Sequence, residues 1–270
     1  MILFLIVLYN ETYNNSDTVK SIKEYLNNSS ETKNEVKFVV FDNSDKEQYY
    51  ELNQKQVSDN NWEYISLKQN IGLSKAYNYV ISRYEFNWIC LLDQDSRLSI
   101  NFIPETIKSV SLNSRVLLHV PKVYADNKVI SPAILKKLKV KSSIDYEIPI
   151  EKMTAINSGM VINKKVFSNI GLYNERIFLD LVDHNFILNF RSNFSSYILM
   201  ENSIKQDFSE VTNSKESSFA RLKIYKKDLK EYCKKFKFGY LYYLSFLLYK
   251  IVKQNIKHKT LIFVNLLFVR

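Results

Sequence analysis

Apolar runs alternate with helix-like stretches through the first 120 residues. The run from Ile2 to Tyr9 predicts a first strand, and Asp17 can cap a helix reaching about Leu26. Val36 to Phe41 predicts a second strand, Trp62 to Ser66 a short third, Leu73 to Arg83 a helix, and Trp88 to Leu92 a further strand. Continuous apolar strands alternating with helices are the pattern of a mainly parallel sheet with crossover helices, an α/β architecture. From about Pro121 to Pro149 the chain is rich in Lys and Ile with weak periodicity, which reads as irregular structure leading to a strand around Met160 to Ile162. A helix from about Val182 to Asn193 follows.

The predicted strands end in polar residues: Asn10, then Asp42 and Asn43, then Asp93, Gln94 and Asp95. In open α/β sheets a ligand sits beyond the carboxyl ends of the strands, so these three ends point to one site. Asp93 and Asp95 stand two residues apart just after an apolar strand. Hard cations such as Mg²⁺ and Mn²⁺ take oxygen ligands, often one or two carboxylates plus substrate phosphates; a solvated turn has the same sequence. Asp42-Asn43-Ser44 reads either as an Asx turn or as a carboxylate for the imino N–H of a pyrimidine base. Asn70-Ile71-Gly72 enters a helix carrying Lys75, where backbone amides and an ammonium can approach phosphate, or where a helix simply begins beside a solvated lysine. Asp180 and Asp183 stand at the entrance of the helix that begins near Val182, as caps or as a general base toward a hydroxyl.

Charge changes the picture only at the end of the chain. Residues 221–270 hold 13 Lys and Arg but two acids, Asp228 and Glu231, whereas the first 220 residues carry 25 bases and 26 acids. The basic stretch interleaves Lys with Tyr, Phe and Leu, the composition of a helix lying at a membrane interface. A helical packing or homo-oligomer face is the alternative, and the continuous apolar content of 238–249 argues against nucleic acid. No stretch reaches the roughly 20 apolar residues of a spanning helix. The first nine residues lack the basic flank and cleavage site of a signal peptide. Cys90 and Cys233 show no metal or disulfide spacing, which favours a reducing, cytoplasmic compartment.

Taken in order, Val7-Leu8-Tyr9-Asn10, Asp42-Asn43-Ser44, Asn70 to Asn78, Leu92-Asp93-Gln94-Asp95-Ser96, Ser158-Gly159-Met160 and Phe178-Leu179-Asp180-Leu181-Val182-Asp183 resemble the rhamnosyltransferase-like branch of the family 2 glycosyltransferases. The resemblance implies a GT-A nucleotide-sugar-binding domain over residues 1–210, with 211–270 as a basic helical membrane-associating tail. It implies an inverting transfer of a sugar, L-rhamnose from dTDP-rhamnose as first choice, onto a polyprenyl-diphosphate-linked glycan in surface polysaccharide synthesis at the inner face of the membrane. A UDP-hexose or UDP-galactofuranose donor, and a non-catalytic nucleotide-sugar or membrane-binding protein, are the alternatives. In that reading Asp42 holds the base of a dTDP- or UDP-sugar, with Asn10 and the Leu8 backbone in the same pocket, and Asn70, Gly72 and Lys75 lie along the donor. Asp95 coordinates a Mg²⁺ or Mn²⁺ ion, Asp93 sits at the ribose and metal edge, and Asp183 is the base. Two positions depart from the family pattern: Asn185 stands where a second acid is common, and Ile204-Lys205-Gln206-Asp207 stands where a histidine often follows a strand.

Overall fold

The computed structural model describes residues 1–28, 35–58, 60, 62–136, 139–142, 148–206 and 214–268. The first half builds the parallel part of a sheet. Strands β1 (Ile2–Leu8), β2 (Val36–Asp42), β3 (Glu63–Ser66) and β4 (Trp88–Asp93) pair in parallel in the order β3-β2-β1-β4. Helices α1 (Asp17–Asn28), α2 (Glu47–Ser58) and α3 (Leu73–Arg83) connect them.

Every residue of β1 is buried, and the pleat sorts them. Leu3, Leu5 and Val7 enter the cluster that holds Tyr77, Val80 and Phe186, while Ile2, Phe4, Ile6 and Leu8 enter the cluster on the other face with Val19 and Ile22 of α1. Each such side chain contributes about 1.5–3 kcal/mol of burial, which fixes the register that brings the carboxyl ends of β1, β2 and β4 level.

Beyond β4 the sheet becomes mixed. Strands β5 (Ser96–Leu98), β6 (Leu118–Ala125), β11 (Val161–Asn163) and β12 (Ile198–Gln206) extend it in the order β4-β11-β6-β12-β5, with β7 (Lys128–Ser131) pairing with β6. Strand β11 is antiparallel to both neighbours, and β12 runs parallel to β6. Strands β8 (Ala133–Lys136), β9 (Lys139–Ser142) and β10 (Met153–Thr154) form a small antiparallel sheet. The region read as irregular between 121 and 149 is thus largely extended among the described residues. The exposed Lys side chains of β9, together with Pro121 and Pro132 at the strands, hide the period-2 signal there.

Helices α4 (Phe102–Leu112), α5 (Lys164–Ile170) and α6 (Val182–Arg191) complete the body. The basic region forms two helices of 19 residues each, α7 (Lys215–Cys233) and α8 (Gly239–Lys257), followed by a 3-10 turn, Ile262–Leu267. Tyr243, Leu247 and Ile251 of α8 pack with Leu222 and Leu229 of α7 and with Phe263. Tyr232 of α7 belongs instead to the main core, so the pair is seated on the body. No helix among the described residues is long and apolar enough to cross a membrane. Both cysteines are free and buried.

Candidate active site

The ends of β1, β2 and β4 open into a cleft of about 750 Å³. Tyr9, Asn43 and Gly72 line one side, Asp93 and Asp95 another, and Asp180 and Asp183 face them. The C-terminal helices close the mouth with Arg221, Tyr225, Tyr249 and Lys250.

The Asp93-to-Ser96 turn is held from below. Ser16 Oγ donates to the Gln94 carbonyl at 2.7 Å, and Thr18 Oγ1 donates to the carbonyls of Asp93 and Ser96. Gln94 Oε1 accepts from the Tyr9 N–H at 2.7 Å, tying the turn to the end of β1. Ser158 Oγ donates to Asp93 Oδ2, and Gln206 Nε2 reaches Ser158 Oγ at 2.6 Å and Asp93 Oδ2 at 3.5 Å. Gln206, which departs from the family pattern, therefore stands at this carboxylate; Asp207 lies outside the described residues.

Burial pushes the Asp93 carboxyl up to about 6 from 3.8, against the hydrogen bonds from Ser158 and Gln206 and with the charges of Asp95 and Asp183 adding to the rise. Because the folded value lies above the unfolded one, ionising Asp93 costs stability. Its contribution is complete below about pH 3.8 and is lost as pH rises through about 6. The metal-free protein should lose on the order of 2 kcal/mol more between pH 4 and 7 than its Asp93→Asn variant. Denaturant melts at the two pH values measure this, and parallel losses in the two proteins would refute it.

Across the cleft, Leu181 adopts a left-handed conformation at φ 66° and caps α6, which puts Asp183 in the first helical turn. Asp183 Oδ1 accepts from the His184 N–H at 2.6 Å, and the side chain remains 20% exposed. His184 also lines the cleft, with its Nδ1 hydrogen-bonded to Thr154 Oγ1 at 2.7 Å and 3.8 Å from Asp183 Oδ1. Asn185 is buried and does not line the cleft, so the missing second acid removes nothing from the cleft wall.

The loop before α6 is gripped on two sides. Toward α3, the Leu73 N–H donates to the Phe178 carbonyl at 2.6 Å and Ser74 Oγ donates to the Ile177 carbonyl at 2.7 Å. Gly72 sits at φ +84°, where a Cβ would meet Phe178 Cδ2 at 2.5 Å and the Phe178 carbonyl oxygen at 2.8 Å. Only glycine allows that approach. Toward the C-terminal pair, the Asp228 carboxylate accepts from the N–H groups of Phe178, Leu179 and Asp180 at 2.7, 2.8 and 2.8 Å. Arg221 pairs with Asp180 at 2.8 Å. Burial raises the Asp228 carboxyl even against those three N–H bonds and Arg221. Neither Asp228 nor Arg221 is visible as a site residue in sequence, since their partners lie some forty to fifty positions away and are mostly backbone.

Four residues expected at the donor, Leu8, Asn10, Asp42 and Lys75, do not line the cleft. Asp42 is fully buried: Oδ1 accepts from the Ser44 N–H at 3.0 Å, and Oδ2 accepts from Asn53 Nδ2 at 2.7 Å and the Tyr64 hydroxyl at 2.9 Å. Its carboxylate braces the end of β2 beneath the cleft, and the neighbouring Asn43 is the residue that faces in. Asn43 and Asn70 interlock, with Asn43 Nδ2 donating to Asn70 Oδ1 at 3.0 Å and Asn43 Oδ1 accepting from the Ile71 N–H at 2.9 Å. Lys75, in the first turn of α3, is exposed and lines a shallower cavity with Asn78 and Glu175 instead of the cleft. The Leu8 side chain is core, but its carbonyl accepts from the Asn43 N–H at 2.8 Å and couples the two strand ends. Asn10, left-handed at φ 49°, donates its N–H to Ser44 Oγ at 2.8 Å. Its Oδ1 is buried without a partner among the described residues, and Asn10 does not line the cleft.

Residues 4–171 match the family described as Glycosyl transferase family 2, more than half of the chain. The chain belongs to the family 2 glycosyltransferases. Asp183 and the C-terminal helices lie beyond the matched span. A dTDP-rhamnosyl transferase of Shigella flexneri, RfbF, is 28% identical over 132 residues, 46% of this chain and 44% of that protein. The chain thus spans under half the length of the curated relative it matches. Among solved structures, S. aureus TarS superposes with a TM-score of 0.59 at 13% identity, covering 87% of this chain and 39% of that one. TarS 1–349 in complex with UDP-GlcNAc gives 0.54 at 14% identity, covering 85% and 66%. The fold of this glycosyltransferase is accordingly the GT-A fold, with the Asp93–Asp95 turn at the end of β4.

Proposed function

We propose that this glycosyltransferase moves a sugar from a nucleoside-diphosphate donor to a hydroxyl of a polyprenyl-diphosphate-linked glycan, with inversion, and that its donor is dTDP-L-rhamnose. One observation carries the reading: Asp183 and the Asp93–Asp95 pair face one another across a single cleft at the sheet's carboxyl edge. The rhamnosyl relative supports the choice of sugar.

The donor set fits a hard divalent cation. Asp93 and Asp95 offer carboxylate oxygens in one cleft, where burial first and then the charges of Asp95 and Asp183 raise the Asp93 carboxyl. No cluster of three or more candidate ligands occurs among the described residues, so phosphate oxygens would complete the shell. Asp93 and Asp95 would hold Mg²⁺ or Mn²⁺, which supplies neutralisation of charge on the departing diphosphate. The tethered turn orients that end of the donor. Asp183 takes the proton of the acceptor hydroxyl as its oxygen bonds to the anomeric carbon. The bond from that carbon to the diphosphate oxygen breaks on the opposite side, which inverts the configuration.

The acceptor side is assigned to the mouth formed by Tyr225, Phe246, Tyr249 and Lys250. Lys250 Nζ lies 5.0 Å over the Tyr225 ring, and burial lowers its pKa. On the outer face of α8, Leu241, Leu248, Val252 and Ile256 are exposed, continued by Leu261 and Phe268 and flanked by Lys253, Lys257 and Lys259. That stripe is assigned to the surface of the cytoplasmic leaflet. Vesicles with 30% anionic lipid should sediment the wild-type protein, and Leu248→Glu/Val252→Glu should abolish the effect; equal sedimentation would remove the membrane assignment.

Thermal melts with dTDP-rhamnose and with UDP-sugars, with and without Mn²⁺, test the donor. A cation-dependent rise with dTDP-rhamnose alone is expected. A UDP-linked hexose or galactofuranose is the second reading, favoured by the UDP and UDP-GlcNAc complexes of TarS. A rise with those sugars only would select it, and no rise with any would overturn both.

A further inference from the structure

We infer that Asp228, on the C-terminal helix pair and outside the family-matched span, is a positioning residue that sets the base Asp183 against the donor. This inference rests on the transferase reading above. The geometry is unusual for a basic region: one of only two acids in residues 221–270 is fully buried and spends its carboxylate on three consecutive backbone N–H groups of another segment. Those groups belong to Phe178, Leu179 and Asp180, the residues that lead into the left-handed Leu181 and then Asp183. Three converging amides form an anion-binding nest, filled here by the protein itself.

The opposite side of the same loop is fixed to α3 through Leu73, Ser74 and the Gly72 contact. With both sides held, the loop has little freedom to rotate about Leu181, and the start of α6 is set. Removing the Asp228 carboxylate orphans three amides and releases one side. Arg221 would still hold Asp180, through an exposed ion pair worth little alone. The expected consequence is a displaced base, not a lost nucleotide site, because Asp93, Asp95 and Asn43 are anchored through β1, β2 and α1.

Full-length Asp228→Ala should show kcat reduced by about a hundredfold, the scale of a displacement near 1 Å, with donor KM and metal-dependent nucleotide binding within about twofold of wild type. Asp228→Asn, which keeps one acceptor oxygen, should fall between them. A merely structural role would lower melting temperature and leave the kcat of the folded fraction unchanged, and that result would overturn the inference. Hydrogen exchange on the wild-type protein supplies a test that needs no variant. The amides of 178–180 should be protected as strongly as the core of α7, and exchange at open-loop rates would overturn the clasp. If wild-type protein transfers no sugar from any donor while those amides are protected, the transferase reading fails and the clasp stands.

Discussion

Asp183→Asn should lower kcat by about a thousandfold, within the range that general-base removal costs, while the donor binds as before. The substitution is chosen for what it keeps. Asn retains an oxygen for the His184 N–H that Asp183 Oδ1 now accepts, so the first turn of α6 and the left-handed Leu181 should be undisturbed. What it loses is the capacity to take a proton. It also removes one of the two charges that lift Asp93, so the Asp93 carboxyl should titrate lower in the variant than its present value of about 6. Steady-state transfer and nucleotide thermal shifts, run side by side, read both effects. A variant with near-wild-type turnover would mean that another group accepts the acceptor's proton.

The parallel half of the sheet was legible because the hydrophobic effect acts on it twice. With both faces covered, β1 and β4 read as unbroken apolar runs, and their polar ends mark the cleft edge. Helix α3 was placed at Leu73–Arg83 because Gly72 stops the chain and its apolar positions recur at helical spacing. The strands between 121 and 142 were not legible: one face carries exposed lysines, and their register depends on partners across the sheet.

At the site, residue types were easier to read than orientations. Asp93, Asp95, Asn70 and Asp183 reach the cleft as the strand ends and the helix start suggested. The family resemblance puts Asp42 at the base, and the strand-end sequence alone allows an Asx turn as well; its inward neighbours Asn53 and Tyr64, 11 and 22 positions away, claim the carboxylate. Whether a strand-end acid meets a ligand or a buried amide depends on such long-range partners. Asp228 shows the converse, a residue that composition assigned to a basic tail and that tertiary structure turns onto the loop of the base.

Asp95→Ala should remove the cation dependence of nucleotide binding and lower kcat/KM by on the order of a hundredfold or more, since a metal at the diphosphate supplies several kcal/mol of charge stabilisation. The choice of Asp95 over Asp93 follows from their surroundings. Asp93 is tied to Ser158 and Gln206 and already titrates high, so neutralising it relieves repulsion as well as removing a ligand, and the two effects oppose. Asp95 is exposed to the cleft, and its turn is held by the Ser16 and Thr18 hydroxyls, which donate to turn carbonyls, and by the Tyr9 N–H, which donates to Gln94 Oε1. The variant should therefore fold normally and bind metal poorly. Titrating Mn²⁺ against the nucleotide-induced thermal shift separates the outcomes. A midpoint displaced by tenfold or more marks Asp95 as a ligand, whereas superimposable titrations would leave the Asp93–Asp95 pair as a turn that shapes the cleft without holding a cation.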